Sequence, residues 1–140
     1  MNKKRKYLIC LVMILVICEI TLFIFFRNPK YKMGETVTID NFEITLTNYS
    51  YSKINKELIL TFLIKNLNNY SITFNQDKYF KMYAISDFEL YNTYESNTNV
   101  LKSNESTYYT LQYKVDEKKE YKIYFYPDNK KNQKIIFIIE

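Results

Sequence analysis

Any chemistry in this chain has to be built without histidine, because none of its 140 residues is His. Histidine is the side chain that titrates near neutral pH and a frequent metal ligand, so general acid–base work and metal binding lose their usual agents. Both cysteines, Cys10 and Cys18, sit in an apolar run near the N-terminus, which leaves the rest of the chain no thiol nucleophile and no internal disulfide. Gly34 is the single glycine, so there is no glycine-rich phosphate loop and no dinucleotide fingerprint. A serine nucleophile would need lysine as its base, and no spacing singles out one Ser–Lys pair among the many. The expectation is a non-enzyme, with no catalytic residue, no bound metal and no cofactor.

Tyrosine is the contact-forming residue present in excess: there are 15, of which 14 lie beyond the apolar run. It supplies large, rigid contact area with a polar tip. By alternation Tyr49, Tyr51, Tyr108, Tyr124 and Tyr126 fall on the polar side of their strands. Together they make a candidate binding face for a surface protein or a cell-wall component, where such rings also stack on sugars. The plainer reading is compositional. Lys, Asn, Ile and Tyr are abundant, Arg occurs twice and Trp not at all, as in a chain from an AT-rich genome that fills ordinary surface positions with tyrosine.

The elements that must position these residues fall into two unlike parts. The net charge of +5 belongs to the first part: residues 1–32 hold Lys3, Lys4, Arg5, Lys6, Arg27, Lys30 and Lys32 against Glu19. Residues 33–140 carry 13 lysines, no arginine and 14 acidic residues, so they lack the basic face that phosphate binding needs and no nucleic-acid partner is expected. Between the cations, Tyr7 to Phe26 is 20 residues long with only Glu19 and Thr21 clearly polar. A helix of that length spans about 30 Å, the thickness of a bilayer's hydrocarbon core. The cluster from Lys3 to Lys6 holds the N-terminus in the cytoplasm.

The expected organisation is a basic cytoplasmic tail at 1–6, a transmembrane anchor at 7–26, a linker at 27–33 and an extracytoplasmic domain at 34–140. The competing fates fit less well. No small-residue cleavage site follows the apolar run. A lipoprotein signal would use Cys18 after Leu15-Val16-Ile17, but it requires a small residue where Ile17 stands and a polar tether where Ile20 to Phe26 is apolar. Glu19, a carboxylate at membrane depth, is read as protonated or snorkelling on a single-pass helix, although such groups also mark helix contacts.

Beyond Gly34 the period is two. Strands are expected at Thr36–Ile39 and Phe42–Thr47 around an Asp40-Asn41 turn, at Glu57–Asn66, Ser71–Phe74, Phe80–Ile85, Phe88–Leu90, Thr107–Val115 and Tyr121–Phe125, and at Ile135–Ile139 as a buried strand. The Asn92–Glu105 stretch reads as a long loop, and no sustained helical period occurs. Ile59 and Leu63 suit a strand covered on both sides. Seven to nine short strands with regular turn signals point to an all-β, antiparallel, immunoglobulin-like β-sandwich behind a single N-terminal transmembrane helix.

Gly34-Glu35-Thr36-Val37-Thr38-Ile39, followed by Phe42-Glu43-Ile44-Thr45-Leu46-Thr47, resembles the opening of the telokin-like immunoglobulin domains of bacterial surface proteins. Leu58 to Asn66 is similar to their next long strand, which ends in Lys-Asn before a polar loop. Leu101 to Val115 is similar to the strand after their "pro-gly-glu-ser" loop, but Lys102-Ser103-Asn104-Glu105-Ser106 has neither the Pro nor the Gly. The resemblance implies a lipoprotein or single-pass protein of a Gram-positive-type bacterium, and it brings no catalytic residues. Two functions follow as expectations. One is a membrane-anchored extracytoplasmic interaction module; the alternative is a phage- or mobile-element-encoded superinfection-exclusion or immunity protein acting at the membrane.

Overall fold

In the computed structural model the described residues are 11–19, 30–84, 88–94, 98–115, 120–127 and 134–139. Residues 11–19 form a helix whose apolar side chains stand open to their surroundings, from 47% exposed at Val16 to 61% at Ile17. The remainder of the expected Tyr7–Phe26 span lies outside the described residues. Among the described residues no helix is long and apolar enough to cross a membrane.

Most of the rest is strand, because side chains alternate between an apolar face and a polar one. The clearest case is β4 (Glu57–Asn66), where every second residue is buried from Leu58 to Asn66. One sheet has the order β2 (Thr36–Ile39), β3 (Phe42–Ser52), β4, β9 (Ser106–Lys114), all antiparallel. The other has the order β1 (Lys30–Tyr31), β11 (Ile135–Ile139), β10 (Tyr121–Phe125), β6 (Phe80–Tyr83), β7 (Glu89–Leu90). In it β1 runs parallel to β11 and the remaining pairs are antiparallel. A separate antiparallel pair, β5 (Ile72–Asn75) with β8 (Thr98–Leu101), completes the set.

The two larger sheets face one another. Phe62 on β4 meets Phe137 on β11 and Phe80 on β6 with ring centroids 5.2 and 4.7 Å apart, and Phe42 on β3 meets Phe125 on β10 at 5.5 Å. Phe74 from β5 enters the same core against Tyr79, Tyr109 and Phe125, so the small pair closes the sandwich. Strands β3, β4 and β9 lie side by side as strands A, B and E do in a constant-type immunoglobulin domain, and β6, β10 and β11 as C, F and G do. β8 stands where strand D would come, but pairs with β5 instead.

Several expectations shift. Lys30 and Tyr31, expected in the linker, pair with Ile136 and Phe137 and so belong to a sheet. β8 occupies part of the expected Asn92–Glu105 loop; only its Leu101 is buried, which left no alternation to read. Gln76–Tyr79 form one helical turn, capped by the Asn75 side chain accepting from the Lys78 N–H at 3.2 Å. Ile59 and Leu63 are half-buried by cross-strand neighbours, Ser50 with Gln112 and Thr45 with Tyr108. The continuously apolar β11 is internal to its sheet, as expected.

One residue ties the β4 end of the sandwich together. Asn66 is fully buried, and its Nδ2 donates to the carbonyls of Tyr70, Leu101 and Lys102 at 2.9, 3.0 and 3.1 Å. Its Oδ1 accepts from the backbone and side-chain N–H groups of Asn68 at 2.9 and 2.8 Å. Its backbone N–H donates to Glu105, and its carbonyl accepts from Asn104. Asn104 takes a left-handed φ of 59°, a conformation that asparagine tolerates better than most residues.

Candidate functional site

The outer face of the five-stranded sheet is built by the same alternation that fills the core. On β10, Tyr121, Ile123 and Phe125 point inward, so Lys122 and Tyr124 point out; on β6, Lys81 and Tyr83 do the same. The register sets Tyr124 across from Lys81, and Lys122 across from Tyr83. That places the Tyr83 and Tyr124 rings diagonally, 5.0 Å apart and edge-to-face at 87°. Tyr126, two residues on from Tyr124, stacks on it at 6.1 Å with the planes 9° apart. Lys134 Nζ lies 4.8 Å from the centre of the Tyr124 ring, within cation–π range.

The electrostatics of this face are largely settled within it. Lys81 is held charged by its bond to Glu89, 2.7 Å away, which raises its pKa. Burial lifts the Tyr126 hydroxyl well above the ordinary tyrosine range, helped by Tyr83, which also hydrogen-bonds to it. Tyr126 therefore stays neutral near neutral pH, and Lys30 and Lys134 flank the cluster. Tyr91, which follows β7, stands 76% exposed beside this group.

The five tyrosines singled out by sequence do not share a face. Tyr124 and Tyr126 belong to the cluster just described. Tyr108 is 65% exposed on the outer face of the opposite sheet, across from Leu63. Tyr49 and Tyr51 are a correction: they pack against the core from the inner side of β3. A β-bulge causes it, since Thr47 and Asn48 together fit into the register between Leu46↔Phe62 and Asn48↔Thr61, and the inward phase passes from Leu46 to Tyr49. Tyr49 and Tyr51 then stand opposite the buried Leu60 and Leu58. Thr47 Oγ1 donates to the Thr61 carbonyl at 2.9 Å across the irregularity. Tyr83, Tyr91 and Lys134 were not singled out, although the alternation of Phe80 and Met82 already sends Tyr83 outward.

Two concavities lined by described residues are small. A cleft of about 140 Å³ is lined by residues including Asp77, Lys81, Glu89, Tyr91, Asn92 and Tyr113. Burial, with Asp77 and Glu89 nearby, raises the Tyr113 hydroxyl far above its ordinary pKa. A second hollow of about 230 Å³ lies among Lys32, Met33, Tyr49 and Ile138. Both fall below the roughly 300–1,000 Å³ typical of small-molecule sites. Among the described residues no group of three or more Cys, Asp or Glu could hold a metal ion.

No protein-family model matches this chain, and no curated protein matches it in sequence. Solved structures do resemble it. The yjhA protein from Bacillus subtilis aligns with a TM-score of 0.66 at 16% identity, over 79% of this chain and 99% of that one. An uncharacterized β-sandwich protein from Clostridium difficile 630 aligns at 0.57 and 11% identity, over 81% and 95% of the two chains. MPT63, a secreted protein from Mycobacterium tuberculosis, aligns at 0.57 and 10% identity, over 81% and 97%. At these identities the likeness is one of fold. The chain shares a β-sandwich fold with them. The telokin-like assignment receives no support beyond that shared fold.

Proposed function

We propose that this protein is a membrane-anchored extracytoplasmic interaction module, a β-sandwich that binds through the outer face of its five-stranded sheet and catalyses no reaction. The observation that carries the reading is the ordered cluster of Tyr83, Tyr124 and Tyr126, with Lys134 over one ring. Rings that already hold one another lose little further entropy on contact, which favours their use as an interface. The anchor is supported by residues 11–19, a helix with apolar side chains exposed on every side, the pattern expected of a segment solvated by lipid. The secreted structural neighbour is in keeping with a place outside the cytoplasm.

A photo-crosslinking residue at position 124, compared with one at 108 in the full chain in its own membrane, tests this. Crosslinks to membrane components from 124 and none from 108 are expected. Equal yields at both positions, or crosslinks from 108 alone, would show that the five-stranded face is not the interface.

A further inference from the structure

The tether between the expected anchor and the sandwich is short, and the strand order shows what it brings to the membrane. From Phe26 to Lys30 there are four Cα steps in the sequence, at most about 14 Å when fully extended. Lys30 is already hydrogen-bonded into the sheet as the first residue of β1. It pairs with Ile136, which pairs with Tyr124, which pairs with Lys81. That is one row across the outer face. At about 4.8 Å per strand, the Tyr124 backbone lies roughly 10 Å from the point where the chain enters the fold. A bilayer adds a headgroup layer of roughly 5–8 Å on each side of its hydrocarbon core. Fully extended, a tether of this length leaves Lys30 no more than about 9 Å above the headgroup layer and Tyr124 no more than about 10 Å beyond Lys30, so the row can be laid onto the headgroups.

The chemistry of the row suits that position. Tyrosine is enriched at membrane–water interfaces, where the ring enters the acyl boundary and the hydroxyl stays wet. Tyr124 presents a half-buried ring of this kind on β10, stacked on Tyr126, and Tyr91 is exposed beyond β7 at the far edge of the sheet. Lys30 and Lys134 supply cations at the same level, whereas the single carboxylate on the described outer strands, Glu89, is neutralised by Lys81.

Resting on the anchor reading, we infer that the ligand of the tyrosine face is the anionic lipid surface itself. The sandwich docks the row of Lys30, Tyr124, Tyr126 and Lys134 onto phospholipid headgroups, and the opposite end, where Ile54 is 95% exposed in the β3–β4 turn, points away from the membrane. A folded domain on a tether needs no such contact; here the tether length and the cations favour it together.

The test uses the full chain, with Cys10→Ser and Cys18→Ser, reconstituted into phosphatidylcholine vesicles with or without phosphatidylglycerol. A nitroxide is placed at Tyr91→Cys or Ile54→Cys, and its collisions with oxygen and with an aqueous nickel chelate are compared. The expected result is lipid-like accessibility at 91 and aqueous accessibility at 54, with the effect at 91 strengthened by phosphatidylglycerol. Each lysine near an anionic surface is worth about five-fold in the docked-to-undocked ratio, so Lys30→Gln with Lys134→Gln lowers that ratio about 25-fold. Vesicles that carry the chain while both labels stay aqueous would overturn the docking and leave the anchor intact. A chain that fails to float with the vesicles would remove the anchor, and the docking with it. Protection at 91 that appears in native membranes but in neither vesicle type would assign the face to a protein or glycan partner instead, which also overturns the proposal.

Discussion

Replacing Asn66 by alanine should destabilise the sandwich more than any other single polar substitution among the described residues. The side chain makes five hydrogen bonds, and its loss strands the Leu101 carbonyl and the Asn68 N–H in buried surroundings. Each buried group left without a partner costs about 1–3 kcal/mol, and the part-buried carbonyls of Tyr70 and Lys102 add less because water can reach them. The total is about 3 kcal/mol or more, a large share of the 5–15 kcal/mol that holds a typical domain folded. For a domain of this size that corresponds to a fall in Tm of at least about 12 °C. Thermal and urea unfolding of the full chain, followed by circular dichroism, measures it. Asn66→Asp supplies the sharper control. It keeps the shape but turns a donor toward three carbonyl oxygens into an acceptor, so the new carboxyl should have a raised pKa. A raised folded-state pKa stabilises below the unfolded value and loses that stabilisation as pH rises, so Asn66→Asp should recover on moving from pH 7 toward pH 4. A loss below about 1 kcal/mol for Asn66→Ala, or an Asn66→Asp variant as stable as the parent at pH 7, would refute the assignment of Asn66 as the tie between β4, β8 and the 102–105 turn.

Three further outcomes are expected. Deleting Thr47 should leave a regular β3 with Tyr49 and Tyr51 still inward, at a cost of about 1–2 kcal/mol for the lost bond to Thr61 and the altered twist; chemical iodination should modify these two tyrosines no faster than in the parent. Tyr109→Phe should stabilise the fold by about 1 kcal/mol in urea unfolding, because the Tyr109 hydroxyl is buried with no hydrogen-bond partner among the described residues. Alkaline pH should unfold the protein: burial, with Glu105 nearby, pushes Tyr109 up to about 12 and burial likewise raises Tyr113 and Tyr126, so their contribution is complete below pH 10 and is lost as the pH climbs from 10 toward 12. The last part of the tyrosinate absorbance should then appear together with loss of strand signal, whereas a titration completed near pH 10 in the folded state would contradict it.

The parts of the fold that could be read in the sequence are those where side-chain type and strand phase agree. β4 and β10 alternate without interruption, and their buried faces follow from Leu58, Leu60, Phe62 and Ile64 and from Tyr121, Ile123 and Phe125. The bulge in β3 escaped because the residues around it are Thr, Asn, Ser and Tyr. Tyrosine suits either face, so Thr47 to Ser52 carries no apolar marker of the change in phase. β8 escaped for a related reason, since Thr98, Asn99 and Val100 are all exposed and only Leu101 is buried. β1 has two residues, and pairing with β11 rather than local pattern defines it.

The candidate site divides in the same way. Tyr124 and Tyr126 could be found from the phase of β10, and Tyr83 from the phase of β6. The stacking of Lys134 on Tyr124 depends on a meeting of β10 with the start of β11 that spacing alone does not show. Asn66 read only as the polar end of the Glu57–Asn66 strand, yet its side chain makes five hydrogen bonds, because the loops it holds return from residues 68–70 and 101–105.

Surface proteolysis of intact cells, followed by mass spectrometry of both the released peptides and the membrane fraction, tests the anchored extracytoplasmic sandwich most directly. Cleavage is expected at the exposed β3–β4 turn, at Lys53 or Lys56, with peptides from residues 30–140 released and the segment from Tyr7 to Phe26 retained in the membrane as one uncut piece. A chain that resists the protease until the cells are broken would place the sandwich in the cytoplasm and contradict the proposed function. A mature chain beginning at a lipid-modified Cys18 would replace the helical anchor with a lipid, and the short tether to Lys30 with a longer one.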